Sequence, residues 1–264
     1  MHRFMGMVVL AALTGCDSFS SVSVKDICEQ QPQLCSDLNP DSWCRAEKSR
    51  IIKDRYEQLK SPSDLLNYDL LLGFENYKKC ISKASDIEHI KLKEKQSERV
   101  RGLMTAEREL KRLARETQGV DVPHLLYYHW SRFDDQDALK AFLQYEKRGE
   151  LEYPEMQVAL ATYYSKFDRP KTISLLYHAL ELYGEDAEVD PEIFLSLSTI
   201  NMKEERFEQA YIWGYVGQKF GVEDLNLTSI ESILVQQNIQ TKALKKTAEH
   251  YIEQIEDGRF IAPL

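Results

Sequence analysis

Two helical hairpins of matching length recur in the second half of the chain, and this recurrence limits the fold more than any other feature. Each begins with a Pro-Glu pair, at Pro154 and at Pro191, and each closes on a glycine 30 residues later, so both signals repeat at a spacing of 37. A Ser-x-Phe-Asp pattern at residues 131–134 returns at residues 165–168, a spacing of 34. Periods of this size with one hairpin in each predict an array of helical repeats.

The composition is that of a folded, helical protein. Of 264 residues, 43% are apolar and 29% are charged, and only 11 are Gly and 8 are Pro. No stretch alternates apolar and polar residues over the length of a strand, so we predict an all-α fold. The length allows one large or two modest domains. A net charge of −9 disfavours binding to nucleic acid, which needs a clustered excess of cations.

The amino-terminal residues resemble the signal sequence of bacterial lipoproteins. A positive charge precedes an apolar run at residues 4–13, about half as long as a membrane-spanning helix. Leu13-Thr14-Gly15-Cys16 then matches the lipobox, in which small residues precede a cysteine. The resemblance implies cleavage before Cys16 and a diacylglycerol on its sulfur, and we expect no cofactor apart from this covalent lipid. The alternative is an ordinary apolar start with a chance cysteine.

The residues after the lipobox indicate the compartment. Asp17 resembles the inner-membrane retention signal of enteric bacteria, so we expect the protein on the periplasmic face of that membrane, with the outer membrane as the alternative. Two or three acyl chains give a stable anchor to the lipid bilayer. Residues 16–25 then form a lipidated, flexible tether.

Four cysteines remain once Cys16 carries lipid. An even number suits an oxidising compartment and allows three pairings. A metal site is the weaker alternative, because the chain has no CxxC motif and no close Cys/His cluster. The four are Cys28, Cys35, Cys44 and Cys80.

The spacing of these cysteines favours one pairing. Residues 40–60 and 64–82 have the pattern of two helices, broken at Ser61-Pro62. Positions at equal distances from the break face each other in an antiparallel pair, and Cys44 and Cys80 are such positions. We therefore predict one disulfide that staples this hairpin and a second, between the two remaining cysteines, within a short turn.

A long amphipathic helix is predicted over residues 86–118. Between residues 91 and 115 it carries nine Lys and Arg against four Glu. Such a helix either presents a basic face to anionic headgroups or an acidic partner, or is a solvated face with i,i+4 ion pairs. We favour the second interpretation.

The segment from residue 121 onward resembles tetratricopeptide and Sel1-like repeats. The resemblance implies stacked helical hairpins that bind a partner on their concave face. The residues that carry it are Tyr163, Thr172, Leu176 and Ala179 in one unit and Leu197, Ala210, Trp213 and Gly221 in the next.

The chain as a whole resembles a family of lipoproteins of unknown function from marine gammaproteobacteria. Its signature is the Cys-rich start, from Asp26-Ile27-Cys28 to the segment 43–48. The resemblance implies a location in the cell envelope and a helical architecture, but it implies no activity. We expect a signal peptide at residues 1–15, the tether at 16–25, a cysteine-containing helical region at 26–119 and a repeat region at 120–264.

No catalytic motif is present: GxSxG, HExxH, P-loop and GxGxxG patterns are absent from the sequence. His124 and His129 are five apart, off helical register for a shared metal, so we expect packed or exposed imidazoles. Asp134, Asp135 and Asp137 lack the glycine of a calcium loop, and an N-cap with an acidic first turn explains them. We therefore predict neither an enzyme nor a metal site.

Aromatic residues of the repeat region are the candidates for a partner groove. Most such rings pack between helices, whereas a minority line a concave peptide-binding surface. We predict an envelope adaptor that binds a protein or peptide through its repeat surface; the alternative is an envelope enzyme, such as a cell-wall or peptide hydrolase, with no recognisable motif. The candidates are Tyr127, Tyr128, Tyr163, Tyr164, Tyr177, Tyr211, Trp213 and Tyr215.

Overall fold

The structure is a computed structural model that describes residues 22–87, 93–223 and 225–263. In these ranges every regular element is helical, with twelve α-helices, one short 3-10 helix and no strand. The all-α prediction is therefore confirmed. The chain separates into two compact units, Met1–Thr117 and Gln118–Leu264. The lipidation site predicted at Cys16 and the signal sequence lie outside the described residues.

The first unit is a helical hairpin extended by a third long helix. Helix α3 packs against both α2 and α4. Ser63 caps α3, because its hydroxyl accepts the backbone N–H of Leu66 at 3.1 Å. The elements are α1 (Val24–Gln30), a 3-10 helix (Pro32–Leu34), α2 (Arg45–Lys60), α3 (Asp64–Ser85) and α4 (Lys93–Glu116).

Helix α2 begins at Arg45, five residues later than the sequence predicted. The preceding residues form a loop held by Lys48, whose amine donates to the carbonyl of Asn39 at 2.7 Å and to the carbonyl of Asp41. Cys44 then adopts a φ of 56°, in the left-handed region, directly before the helix. Because the loop carbonyls already have a donor and Cys44 leaves the helical region, the helix cannot begin earlier.

Two disulfides hold this unit, and they join the cysteines as the sequence predicted. Cys28–Cys35 links α1 to the residue after the 3-10 helix, and Cys44–Cys80 links the start of α2 to α3. Both pairs have a Cα–Cα distance of 5.8 Å, within the ordinary range for a disulfide. The second bridge is the predicted staple of the α2–α3 hairpin.

Several basic residues of α4 are engaged in ion pairs within the unit. Arg99 is only 3% exposed and donates to Asp41 at 2.8 Å and to the carbonyl of Ala84 at 3.0 Å. Arg112 binds Glu109 at 2.8 Å, one turn before it. These contacts agree with the interpretation of α4 as a helix laced with ion pairs.

The second unit consists of helices paired in sequence. The pairs α5–α6, α7–α8 and α9–α10 pack as hairpins, and both α11 and α12 pack against α10. The helices are α5 (Pro123–Phe133), α6 (Gln136–Arg148), α7 (Pro154–Tyr164), α8 (Arg169–Leu182), α9 (Glu192–Lys203), α10 (Phe207–Lys219), α11 (Leu227–Gln236) and α12 (Thr241–Glu256).

Local signals set the ends of these helices. Asp135 caps α6 by accepting the backbone N–H groups of the second and third helical residues at 3.0 Å, as the N-cap interpretation of the acidic cluster predicts. Asp168 caps α8 in the same way through Lys171 at 3.0 Å. Gly149 ends α6 with a φ of 68°, which costs a residue without a side chain little.

The core of the second unit centres on α10. Trp213 is fully buried, stacks on Tyr251 at 5.3 Å between ring centroids and lies 6.3 Å from the ring of Phe194. Helices α9 and α10 cross closely: Ser198 donates to the carbonyl of Ala210 at 2.9 Å, and a Cβ added at Gly214 would lie only 3.3 Å from the hydroxyl oxygen of Ser198.

Candidate functional site

A groove between α7 and α9 is the candidate site of the second unit. Its walls come from these two helices, which are the first helices of successive hairpins, and its floor from α8, which packs against both. The groove has a volume of about 560 Å³, within the range of peptide and small-ligand sites. Its lining includes Tyr127, Val158, Ala161, Thr162, Ser165, Arg169, Thr172, Leu176, Asp190, Glu192, Leu195, Ser196, Thr199, Ile200 and Lys203.

Hydroxyl groups supply much of the polar lining. Thr162 and Ser165 donate to carbonyls of their own helix, at 3.0 and 2.8 Å, so their lone pairs remain available as acceptors. Ser196 and Thr199 make no hydrogen bond to other side chains among the residues that the structure describes. The walls can therefore accept hydrogen bonds from the N–H groups of a bound backbone.

The groove has one acidic and one basic end. Asp190 and Glu192 lie at the start of α9, and Lys203 is the last residue of the same helix. Arg169 lies at the Lys203 end, because it donates to Glu204 at 2.6 Å. The rise of α9 separates the two ends by about 16 Å. A groove with two such ends is polar along its length.

Of the eight aromatic residues predicted from the sequence, Tyr127 lines the groove. Its ring contacts Trp130 and Phe142 at centroid distances of about 6 Å. Tyr163 packs edge-on against Trp130 at 5.5 Å. The hydroxyl of Tyr164 donates to Glu146 at 2.9 Å, which fixes α7 to α6.

The other aromatic candidates belong to the packing of the helices. Trp213 and Tyr211 are fully buried, Tyr128 is 4% exposed and Tyr215 is half-buried. Tyr177 accepts a hydrogen bond from the indole N–H of Trp213 at 3.2 Å. Burial in the core, which sequence spacing did not reveal, removes these rings from the groove.

The polar wall residues of the groove were not among the predicted site residues. A detectable signal was present, because Glu192, Ser196, Thr199 and Lys203 are spaced four, three and four apart along one face of a helix. A polar stripe of this kind beside buried apolar positions indicates a helix face that remains accessible while its neighbours pack.

The two histidines, His124 and His129, lie in different surroundings. His124 lies 3.2 Å from Glu155, and the hydrogen bond from His124 lowers the pKa of that carboxyl. His129 is 5% exposed. In the described ranges, one cluster brings three potential metal ligands within 4.8 Å, namely Cys44, Glu47 and Cys80. Both of its sulfurs are joined in the disulfide, so the cluster offers one charged ligand.

None of the helices described for residues 22–87, 93–223 and 225–263 has both the length and the apolar character needed to cross a bilayer.

Comparison with known proteins identifies the family to which the chain belongs. No curated protein and no solved structure matches the chain. A family model described as "Protein of unknown function (DUF2989)" matches residues 13–215, which include both cysteine pairs and the α7–α9 groove. The chain therefore belongs to the DUF2989 family of proteins of unknown function.

Proposed function

We propose that this chain is a lipid-anchored adaptor of the bacterial cell envelope, whose second unit binds an extended segment of a partner protein in the α7–α9 groove. The anchor is the acylated sulfur of Cys16, and the protein faces the periplasm. Asp17 favours retention at the inner membrane.

Three observations support the anchor and the compartment. The lipobox Leu13-Thr14-Gly15-Cys16 follows a charged start and an apolar run of signal-peptide length. The family match begins at Leu13 and so includes this segment. All four cysteines of the described region form disulfides, which persist in oxidising compartments.

The observation that carries the binding function is the polarity of the groove together with its hydroxyl-rich walls. A length of about 16 Å holds roughly five residues of extended chain. Leu195, Ile200 and Val158 offer apolar contacts for alternate side chains. The carboxylates at one end and Lys203 at the other fit a segment with a basic residue at one end and an acidic residue at the other, whereas Arg169 is already paired with Glu204.

Site-specific crosslinking tests the groove. A photo-crosslinking amino acid is placed at Thr199 in the groove wall or, as the control, at Ser174, an exposed residue of α8 that does not line the groove. We expect an envelope protein to be captured from Thr199 and not from Ser174, and Lys203→Glu to abolish the capture. Lys219→Glu, an exposed lysine at the end of α10, is the matched charge control.

Two kinds of result would contradict the proposal. Equal capture at both positions would show that the groove does not select the partner. Mass spectrometry of the mature protein that found an unacylated Cys16 would remove the anchor, and hydrolysis of a cell-wall fragment by the purified protein would favour an enzyme instead.

A further inference from the structure

The first unit contains a second concave site, which we call the cationic pocket. It has a volume of about 690 Å³ and lies among the start of α1, the loop before α2, the first turn of α2 and one residue of α4. Three cations, Arg45, Lys48 and Arg101, line it, and Asp41 is the one carboxylate among its lining residues.

The charges in this pocket are unbalanced. Asp41 is already bound by Arg99 at 2.8 Å, and Lys48 is held by loop carbonyls. Arg45 and Arg101 are exposed and, within the described ranges, have no carboxylate partner within 4 Å. Burial lowers the pKa of Lys48; the charge of Asp41 opposes this decrease, and the charge of Arg45 adds to it, so the two cations lie near each other. An anion would relieve this repulsion.

The pocket lies next to the point where the tether enters the unit. Val24, the first residue of α1, is part of its lining. Six peptide units separate Cys16 from Val22, so the Cα atom of Cys16 lies at most about 22 Å from that of Val22, where the described chain starts. An anchor of that length keeps the start of α1 close to the lipid headgroups.

The distribution of charge along the chain agrees with this placement. Residues 1–117 contain 20 Lys and Arg and 18 Asp and Glu, whereas residues 118–264 contain 14 and 25. The excess of negative charge that gives the chain its net −9 therefore belongs to the second unit. The first unit can approach an anionic surface, and the second is repelled by it.

From the three convergent cations, the open pocket and the adjacent tether, we infer that the cationic pocket binds the phosphate of an anionic phospholipid headgroup. This inference rests on the anchor of the proposed function. The anchor holds the chain at the membrane, and the pocket sets which surface of the first unit faces the headgroups. Two guanidinium groups suit a phosphate, because each can donate two parallel hydrogen bonds.

Vesicle binding by the chain from Asp17 onward tests the pocket without the acyl anchor. This chain contains every residue that the structure describes. We expect it to bind vesicles that contain phosphatidylglycerol and not vesicles of phosphatidylcholine alone. Arg45→Gln with Arg101→Gln weakens the binding roughly 30-fold, which corresponds to about 1 kcal/mol for each cation near an anionic surface.

The matched control is Lys53→Gln with Lys111→Gln. Both lysines are exposed residues of α2 and α4 that do not line the pocket, and the change in net charge is the same. We expect this pair to weaken binding less than threefold, on the order of the loss of net charge alone. An equal loss of vesicle binding in the two double variants would overturn the assignment of the pocket as the headgroup site and would leave only non-specific electrostatic attraction.

Two further arms complete the test. Inorganic phosphate that binds with the same dependence on Arg45 and Arg101, without vesicle binding, would assign the pocket to a free anion and overturn the headgroup assignment. For the acylated protein in lipid nanodiscs, we expect slower hydrogen exchange in the first turn of α2 with phosphatidylglycerol than with phosphatidylcholine. Because the vesicle arm uses no acyl chain, its failure is distinct from a failure to find lipid on Cys16.

Discussion

The hydroxyl of Tyr77 donates a hydrogen bond to Oδ1 of Asn39 at 2.8 Å and accepts one from the backbone N–H of the same residue at 3.2 Å. This pair joins the middle of α3 to the loop before α2. Burial raises the pKa of Tyr77 to about 12, so the hydroxyl stays protonated and able to donate. Gly102 of α4 lies directly over it, and a Cβ there would collide with the hydroxyl oxygen of Tyr77.

A double-mutant cycle at Tyr77 and Gly102 checks this arrangement. Gly102→Ala is expected to lower the free energy of unfolding by about 2 kcal/mol, because the added methyl group overpacks a buried site. Tyr77→Phe lowers it by about 1–2 kcal/mol, since the backbone N–H of Asn39 loses its partner. Combined, the two changes cost less than their sum, because the missing oxygen makes room for the methyl group. Urea unfolding measures the cycle, and strict additivity would show that the two residues do not touch.

Asp54 gives a prediction with a defined pH dependence. Its Oδ2 is buried without a hydrogen-bond partner, and Nε of Arg50 lies 3.7 Å away. Burial raises the pKa of Asp54. The free energy of unfolding therefore falls as the pH rises from the ordinary aspartate value through the raised pKa, because the ionised carboxylate is less stable in the folded protein than in the unfolded chain. Asp54→Asn is expected to stabilise the protein by about 1 kcal/mol at neutral pH.

Below about pH 3 we expect Asp54→Asn to leave the free energy of unfolding unchanged, because protonated aspartic acid and asparagine are both neutral. Thermal unfolding at the two pH values checks this difference. The control is Glu249→Gln, at an exposed carboxylate in the interior of α12, which leaves the melting temperature unchanged at both pH values. A stabilisation by Asp54→Asn that persisted at low pH would point to a cause other than the buried charge.

The two disulfides are predicted to differ in their contribution to stability. Cys44–Cys80 closes a sequence separation of 36 residues and Cys28–Cys35 one of 7. Replacing Cys44 and Cys80 with Ser is expected to cost about 3–4 kcal/mol, and replacing the other pair about 2–3 kcal/mol, because the longer loop has more entropy to lose. Denaturant unfolding of the two double variants gives the comparison; a larger cost for the shorter loop would contradict it.

His178 provides a second titration. Burial opposes its protonation, but hydrogen bonds to Glu152 at 2.6 Å and to Glu181 at 3.2 Å outweigh burial and raise its pKa. The stability from this pairing is therefore full below about pH 6.5, the ordinary histidine value, and is lost as the pH rises through the folded pKa. Since the side chain is more than a third exposed, solvent screening limits the effect to about a few tenths of a kcal/mol.

An NMR titration of the histidine resonances measures this shift. We expect His178 to titrate above the ordinary value in the native protein and to return towards it in Glu152→Gln. Glu150→Gln removes a carboxylate two residues away in sequence that binds Arg148 instead, and it should leave the titration of His178 almost unchanged. Equal shifts in the pKa of His178 in the two variants would indicate that the surrounding negative charge in general, rather than the hydrogen bond to Glu152, raises this pKa.

Features that depend on residues close together in the chain could be predicted from the sequence. Asp135 follows a helix end and precedes an apolar stripe, and it caps α6 as predicted. Cys44 and Cys80 lie at equal distances from Pro62, and a hairpin must bring such positions together. The start of α2 was predicted wrongly, because the contacts of Lys48 with the loop leave no periodic signal in the sequence.

The helical class, the cap of α6 and the cysteine pairing follow from the order of the amino acids alone, because caps, breaks and amphipathic stripes act within a few residues. Which helix faces pack and which remain open is settled only when the helices assemble. Their assembly buries Trp213, leaves the polar stripe of α9 accessible and places Arg101 of α4 and Arg45 of α2 at one pocket. The two arginines are distant in sequence, and their meeting depends on the packing of whole helices, which no local preference specifies.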